Sequence, residues 1–171
     1  MLGQLDQEDA TEAALTLLYR AHALSLTRLA HVMLGDRAAA EDVVQDAFIG
    51  LQRNWPRLSD PAKAPQYLRS SVLNGCRTAL RRDRRRSSGE AEPDGLAASA
   101  EAAALAGDEQ RRVMQAIRRL PHRQREVLIL RFYLLEPEAE IAALMGVRQS
   151  TVRSTTHRAL AALGRILGET A

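Results

Sequence analysis

The sequence predicts an all-α protein built as two small helical domains joined by a flexible acidic linker, and three observations support this. Ala and Leu dominate an apolar content of 46%, aromatics make up only 4%, and β-branched residues are sparse, a balance that favours helices over sheets. Apolar side chains recur at three- and four-residue steps along most of the 171 residues, with no strand-like alternation long enough to mark a sheet. Charge is sharply segregated: Arg77, Arg81, Arg82, Arg84, Arg85 and Arg86 stand against Asp83 alone, and the following stretch to Asp108 carries Glu90, Glu92, Asp94 and Glu101 with no base. That acidic stretch is rich in Ala, Ser and Gly, contains Pro93, and has only Leu96 and Leu105 as large apolar residues, too little to order itself by burial. The expected division is therefore a domain over 1–86, a linker over 87–107 and a domain over 108–171.

Each helix has its own signal. Leu15, Leu18, Tyr19, His22, Leu26, Leu29 and Met33 trace an amphipathic helix that ends near Gly35. Asp36 has the character of an N-cap for the next, in which Val43, Val44, Ala47, Phe48, Leu51 and Trp55 keep the period as far as Pro56. After a loop punctuated by Pro56, Pro61 and Pro65, a third helix is marked by Leu68, Val72, Cys76 and Leu80. Beyond the linker, Val113, Ile117 and Leu120 precede Pro121, and Val127, Leu128, Leu130 and Arg131 sit in a second short helix. Ile141, Leu144 and Met145 line a helix starting around Pro137 and broken by Gly146; Val152, Thr156, Ala159, Leu160 and Leu163 line the last.

Composition and motif content remove several function classes. A single cysteine, Cys76, cannot form an intramolecular disulfide, and the N-terminus lacks the basic start and apolar run of a signal peptide. No apolar run approaches the roughly 20 residues of a membrane span, so a cytoplasmic protein without membrane insertion is expected. His22, His31 and Cys76 have no metal-ligand spacing and read as packing residues; no metal and no cofactor is expected. Neither a phosphate-binding loop nor a nucleophile elbow occurs, so no enzyme is expected. The formal net charge is only +3, with Lys63 the single lysine beside 23 arginines, so the distribution of charge carries the information.

Two patterns point to nucleic acid. Ala142, Gly146 and Val152 have the spacing of a helix-turn-helix: a small residue for close crossing, a glycine for the left-handed turn, a β-branched wedge. Such a pair places its second helix, about Gln149–Ala162, in a major groove, where Gln149, Ser150, Arg153, Ser154, His157 and Arg158 lie off the apolar stripe and can bond base edges or phosphates. Arg77, Arg81, Arg84 and Arg85 share one helix face, with Arg82 and Arg86 flanking it, and this suits a phosphate track. A block of six arginines repels itself without an anionic partner.

Four collinear segments carry a family resemblance. Glu41–Phe48 (EDVVQDAF) resembles the AEDLVQETF-type segment of extracytoplasmic-function (group IV) sigma factors of the sigma-70 family, and Leu120–Leu128 (LPHRQREVL) resembles their LPxRQREVL segment. Glu138–Ala142 (EAEIA) looks like the opening of their region 4.2, and Thr151–Ser154 (TVRS) matches its TVKS, with Arg158, Ala159 and Leu160 following in register. The resemblance covers about 12–86 and 108–166 and is nearest the actinobacterial sigma-E type. It implies an initiation factor that joins core RNA polymerase, region 2 recognising and melting the −10 element and region 4 reading the −35 element of promoter DNA. By the same resemblance Glu41, Asp42, Gln45, Asp46 and Ile49 would meet the β′ clamp helices, with region 4 on the β flap. Lys63, Gln66, Tyr67 and Asn74 would join Arg77, Arg81, Arg84 and Arg85 at −10 DNA, the loop Ser59–Gln66 capturing an unstacked base. Arg148, Gln149, Ser150, Thr151, Arg153, Ser154, His157 and Arg158 would face −35 DNA. The linker would pass through the polymerase's nucleic-acid channel, and an anti-sigma factor is a further partner the family allows.

Three positions depart from the family pattern. Pro137 replaces the usual serine cap of the scaffold helix, Arg148 a common serine before the recognition helix, and Thr156 a frequent leucine, so that helix start and packing are open to a shift. The competing readings are a stand-alone helix-turn-helix regulator, which would lack a polymerase-facing segment such as 41–46, and a protein-interaction module, which the arginine block disfavours.

Overall fold

The computed structural model describes residues 2–87 and 108–168, and all regular structure in them is helical. Two compact units divide the chain, within 1–93 and 94–171. The expected linker falls almost wholly on 88–107, outside the described residues; its first residue, Ser87, closes a helix.

The first unit is a bundle of three long helices, α1 (Leu2–Leu34), α2 (Arg37–Asn54) and α3 (Ala64–Ser87). Gly35, at φ +78, ends α1, and its N–H donates to His31 O at 2.8 Å. Asp36 is extended, and its carboxylate accepts the Ala39 N–H at 3.0 Å, the N-cap expected from sequence. Ala40, Val44, Ala47 and Leu51 then face inward at steps of four, three and four, meeting Leu26, Leu29, Ala30 and Met33 of α1 and Leu68, Val72, Leu73 and Cys76 of α3 in one core. Each fully buried Leu there contributes about 1.5–3 kcal/mol relative to exposure. Tyr19 differs from expectation: it is 54% exposed, its ring tilted against Phe48 with centroids 5.0 Å apart.

Between α2 and α3 the chain makes two 3-10 turns, Trp55–Arg57 and Pro61–Lys63, the second capped by Asp60 accepting from Ala62 N–H at 2.9 Å. The helix α3 begins at Ala64, so Pro65 belongs to its first turn rather than to the loop, where its missing N–H costs no helical hydrogen bond. Gly75 lets α2 and α3 approach: a Cβ there would lie 2.7 Å from Val43 Cγ1.

The second unit holds α4 (Asp108–Arg119), α5 (His122–Leu128), α6 (Glu138–Met145) and α7 (Gln149–Gly168). Leu120, Val127, Leu130, Ile141, Met145, Val152 and Ala159 form its core. The second short helix does not run on through Arg131 as an α-helix: Ile129–Tyr133 is a π turn, with Leu134 N–H donating to Ile129 O at 3.0 Å and Glu136 N–H to Leu130 O at 2.9 Å. Leu135 follows at φ 55 with its side chain 77% exposed.

Candidate nucleic-acid interface

The helix-turn-helix is built as its spacing implied. Gly146 sits at φ 65 and ψ 39; its N–H donates to Ala143 O at 3.2 Å and the Val147 N–H to Ala142 O at 3.0 Å, the two hydrogen bonds of a Schellman cap. Ala142 and Val152 are both buried, the wedge at 0% exposure. Pro137 takes the N-cap position itself, with no side-chain cap; Glu138 and Glu140 in the first turn of α6 offset the helix dipole instead. Arg148 precedes α7 and its carbonyl accepts from Thr151 and Val152 N–H at 2.9 and 3.1 Å, so the helix still starts at Gln149. Thr156 is buried and its hydroxyl donates to Val152 O at 2.8 Å, which satisfies the polar group a leucine would lack. The helix runs on to Gly168, six residues past the expected end at Ala162.

All eight side chains expected on the −35 face, Arg148, Gln149, Ser150, Thr151, Arg153, Ser154, His157 and Arg158, are exposed. They are not equally free to move. Arg153 Nε lies 3.0 Å from Glu138 Oε1, so α6 orients it; Arg131 reaches the other oxygen of the same carboxylate at 4.0 Å. The Ser154 hydroxyl donates back to Thr151 O at 3.1 Å, and Arg158 Nε to Ser154 O at 3.3 Å.

The second unit also holds a polar frame that sequence reasoning missed. Glu126 is 0% exposed with Oε2 3.4 Å from Arg123 Nη1, and the same guanidinium donates to Met145 O at 3.2 Å, tying α5 to the end of α6. Arg125 donates to Arg118 O and Leu120 O, and burial, followed by the like charge of Arg118, pulls its pKa below the ordinary arginine value. The signal was present as a glutamate three residues after an arginine at the head of an apolar run, but a surface pair has the same spacing.

In the first unit, Glu41, Asp42, Gln45 and Asp46 are exposed on α2, opposite its buried stripe, with Ile49 45% exposed below them. Glu41 accepts from Arg37 Nε at 2.8 Å, so Asp42 and Asp46, one turn apart, carry much of the remaining negative charge of this face.

The residues expected at −10 DNA separate into two groups. Lys63, Gln66, Asn74, Arg81, Arg84 and Arg85 are exposed, as is Arg82; Tyr67 and Arg77 are half-buried. Asn54 Nδ2 donates to the Tyr67 hydroxyl at 3.1 Å and to Gly50 O at 2.9 Å, and a Cβ at Gly50 would come within 3.3 Å of that hydroxyl. Tyr67 thus anchors the first turns of α3 to the end of α2. Arg77 Nη1 donates to Asn74 Oδ1 at 2.8 Å, a charged hydrogen bond across three residues of α3.

Among the described residues no cluster of His, Cys, Asp and Glu could hold a metal, and no helix is long and apolar enough to cross a membrane.

Comparison with known proteins agrees with this geometry. Residues 18–86 match Sigma-70 region 2, and residues 110–163 match Sigma-70, region 4. The chain is 32% identical over 141 residues to the RNA polymerase sigma-E factor of Streptomyces avermitilis, covering 81% of this chain and 76% of the relative. It is 31% identical over 144 residues to a Xanthomonas campestris protein named "Probable RNA polymerase sigma factor RfaY", covering 80% of this chain but spanning only 36% of that longer relative. The fold is similar to that of the sigma factor RpoE of Bartonella quintana, solved with the anti-sigma factor NepR, at a TM-score of 0.63 and 22% identity over 95% of this chain and 97% of the other. Two sigma-70 regions in order, together with the Streptomyces relative and the ECF RNA polymerase sigma factor SigM of Mycobacterium tuberculosis, 30% identical over 88% of this chain and 76% of that relative, establish that this chain belongs to the extracytoplasmic-function RNA polymerase sigma factors of the sigma-70 family.

Proposed function

We propose that this protein acts by recognition rather than catalysis, as an alternative sigma factor in the cytoplasm: it joins core RNA polymerase and directs promoter-specific initiation, with no cofactor of its own. In this reading residues 1–86 bind core and open the −10 element, 108–171 read the −35 element, and 87–107 connect them. Core contact falls to Glu41, Asp42, Gln45, Asp46 and Ile49, −10 contact to Lys63, Gln66, Asn74, Arg81, Arg84 and Arg85 with Tyr67 and Arg77 in support, and −35 contact to the exposed face of α7. An anti-sigma factor is a further partner in this reading; the Bartonella structure of similar fold holds one.

The observation that carries the reading is an exposed acidic face on α2 in the same chain as two exposed arginine-bearing faces, on α3 and α7. Phosphates repel such an acidic face, so duplex DNA is not its partner and a protein surface of opposite charge suits it better. Two weak DNA-facing surfaces become a specific reader once a scaffold fixes their spacing, since the second contact is then made at high effective concentration. The double charge reversal Asp42→Arg with Asp46→Arg is expected to abolish co-purification with core polymerase while leaving the helical circular dichroism spectrum intact. Undiminished binding to core would refute the assignment of this face.

A further inference from the structure

The bond between Arg77 and Asn74 has a chemical consequence for the base that the −10 face reads. A carboxamide presents either its oxygen or its amine to a neighbour, and rotation about its last torsion exchanges the two at little steric cost. Arginine carries five N–H donors and no acceptor, so only the oxygen of Asn74 can face it. The 2.8 Å contact from Arg77 Nη1 to Asn74 Oδ1 therefore fixes the orientation of the amide. Arg77 is half-buried along α3 whereas Asn74 is exposed, so the orienting group is held by the fold and the oriented group faces outward.

Resting on the −10 reading above, we propose that Arg77 is a positioning residue for base selection: it turns Asn74 so that the pair offers outward N–H donors, and thereby selects an extruded base by its hydrogen-bond acceptors. A freely rotating asparagine pairs adenine with both of its ends, accepting from the N6 amine and donating to N7. With Oδ1 held against a guanidinium that mode is disfavoured, because an incoming amine must share the oxygen with a cation. Edges that offer acceptors, such as O6 and N7 of guanine or O4 of thymine, remain good partners. Arg77 thus differs in role from Arg81, Arg84 and Arg85, which are exposed and suited to phosphates.

The test is transcription by core polymerase reconstituted with the full-length chain, on a library randomised across the −10 region, at two salt concentrations. The wild type is expected to favour an acceptor-edged base over adenine at one position by about tenfold or more, in line with one base contact of about 1–3 kcal/mol. Asn74→Ala should remove that preference. Arg77→Gln should remove most of it at that same position, because the amide is then free to turn, and Arg77→Lys should restore part of it. Asn74→Asp should keep its partner Arg77 but invert the preference towards bases that present an amine. If Arg77→Gln instead lowers output alike on every −10 sequence and reduces the salt dependence, Arg77 is a phosphate contact and the proposal is overturned while the −10 reading stands. If Asn74→Ala changes preference at no −10 position, the −10 reading itself fails. Melting curves of each variant check that the fold is retained.

Discussion

Replacing Gly75 by alanine tests whether the close approach of α2 and α3 places the acidic face and the −10 face on one rigid body. In an exposed helix interior the change would stabilise by about 1 kcal/mol, because alanine loses less backbone freedom than glycine. Here the new Cβ would lie 2.7 Å from Val43 Cγ1, closer than atoms tolerate. Valine is β-branched and held to one rotamer in a helix, so it cannot swing aside and the helices must part. Overpacking of this kind costs about 1–3 kcal/mol, which leaves a net loss of about 1 kcal/mol after the gain in helix propensity. For a unit of this size that corresponds to a fall in Tm of about 4–8 °C. In a Val43→Ala background the obstructing methyls are gone, and Gly75→Ala should then raise Tm by a similar amount, a coupling of about 2 kcal/mol between the two sites. Thermal unfolding of the four full-length proteins, followed by circular dichroism, measures the cycle. A Gly75→Ala protein that is more stable than wild type with Val43 in place, or shifts that are equal in the two backgrounds, would refute the argument.

Two further outcomes are expected elsewhere in the chain. Across a randomised −35 library, Gln149→Ala should relax preference at particular base pairs by about 1–3 kcal/mol, whereas Arg158→Ala, more than two turns further along α7, should weaken all sequences alike and lower the magnitude of the salt slope by about 1; the reverse pattern would mean that α7 enters the groove by its other end. His22 has its pKa lowered from the ordinary 6.5 by burial first and by Arg69 second, so the unfolded chain takes up its proton more readily than the folded one. Its contribution to stability is therefore present above about pH 6.5 and lost as pH falls below it, and His22→Gln should flatten the pH dependence of urea midpoints in that range.

Much of this molecule is local enough to be legible residue by residue. The three long helices of the first unit, the Asp36 cap, the glycine stops at 35 and 146 and the wedge at Val152 each depend on contacts within a few positions, and each stands where period and residue type put it. The start of α3 and the break after Leu128 were missed because proline tolerance in a first turn and a π register depend on how neighbouring hydrogen bonds close, which hydrophobic period does not encode. Exposure of the expected α7 face followed from its pattern, but the pairing of Arg153 with Glu138 did not, since the partner comes from another helix fifteen residues back. The same holds for Asn54 with Tyr67 and for Arg123 with the carbonyl of Met145. Even Arg77 and Asn74, three apart on one helix, read in the sequence as a phosphate contact and a base contact. Their spacing permits the 2.8 Å bond between them but does not require it, and which of the two is half-buried and which exposed is decided by how α3 packs in the bundle, because burial depends on residues distant in sequence.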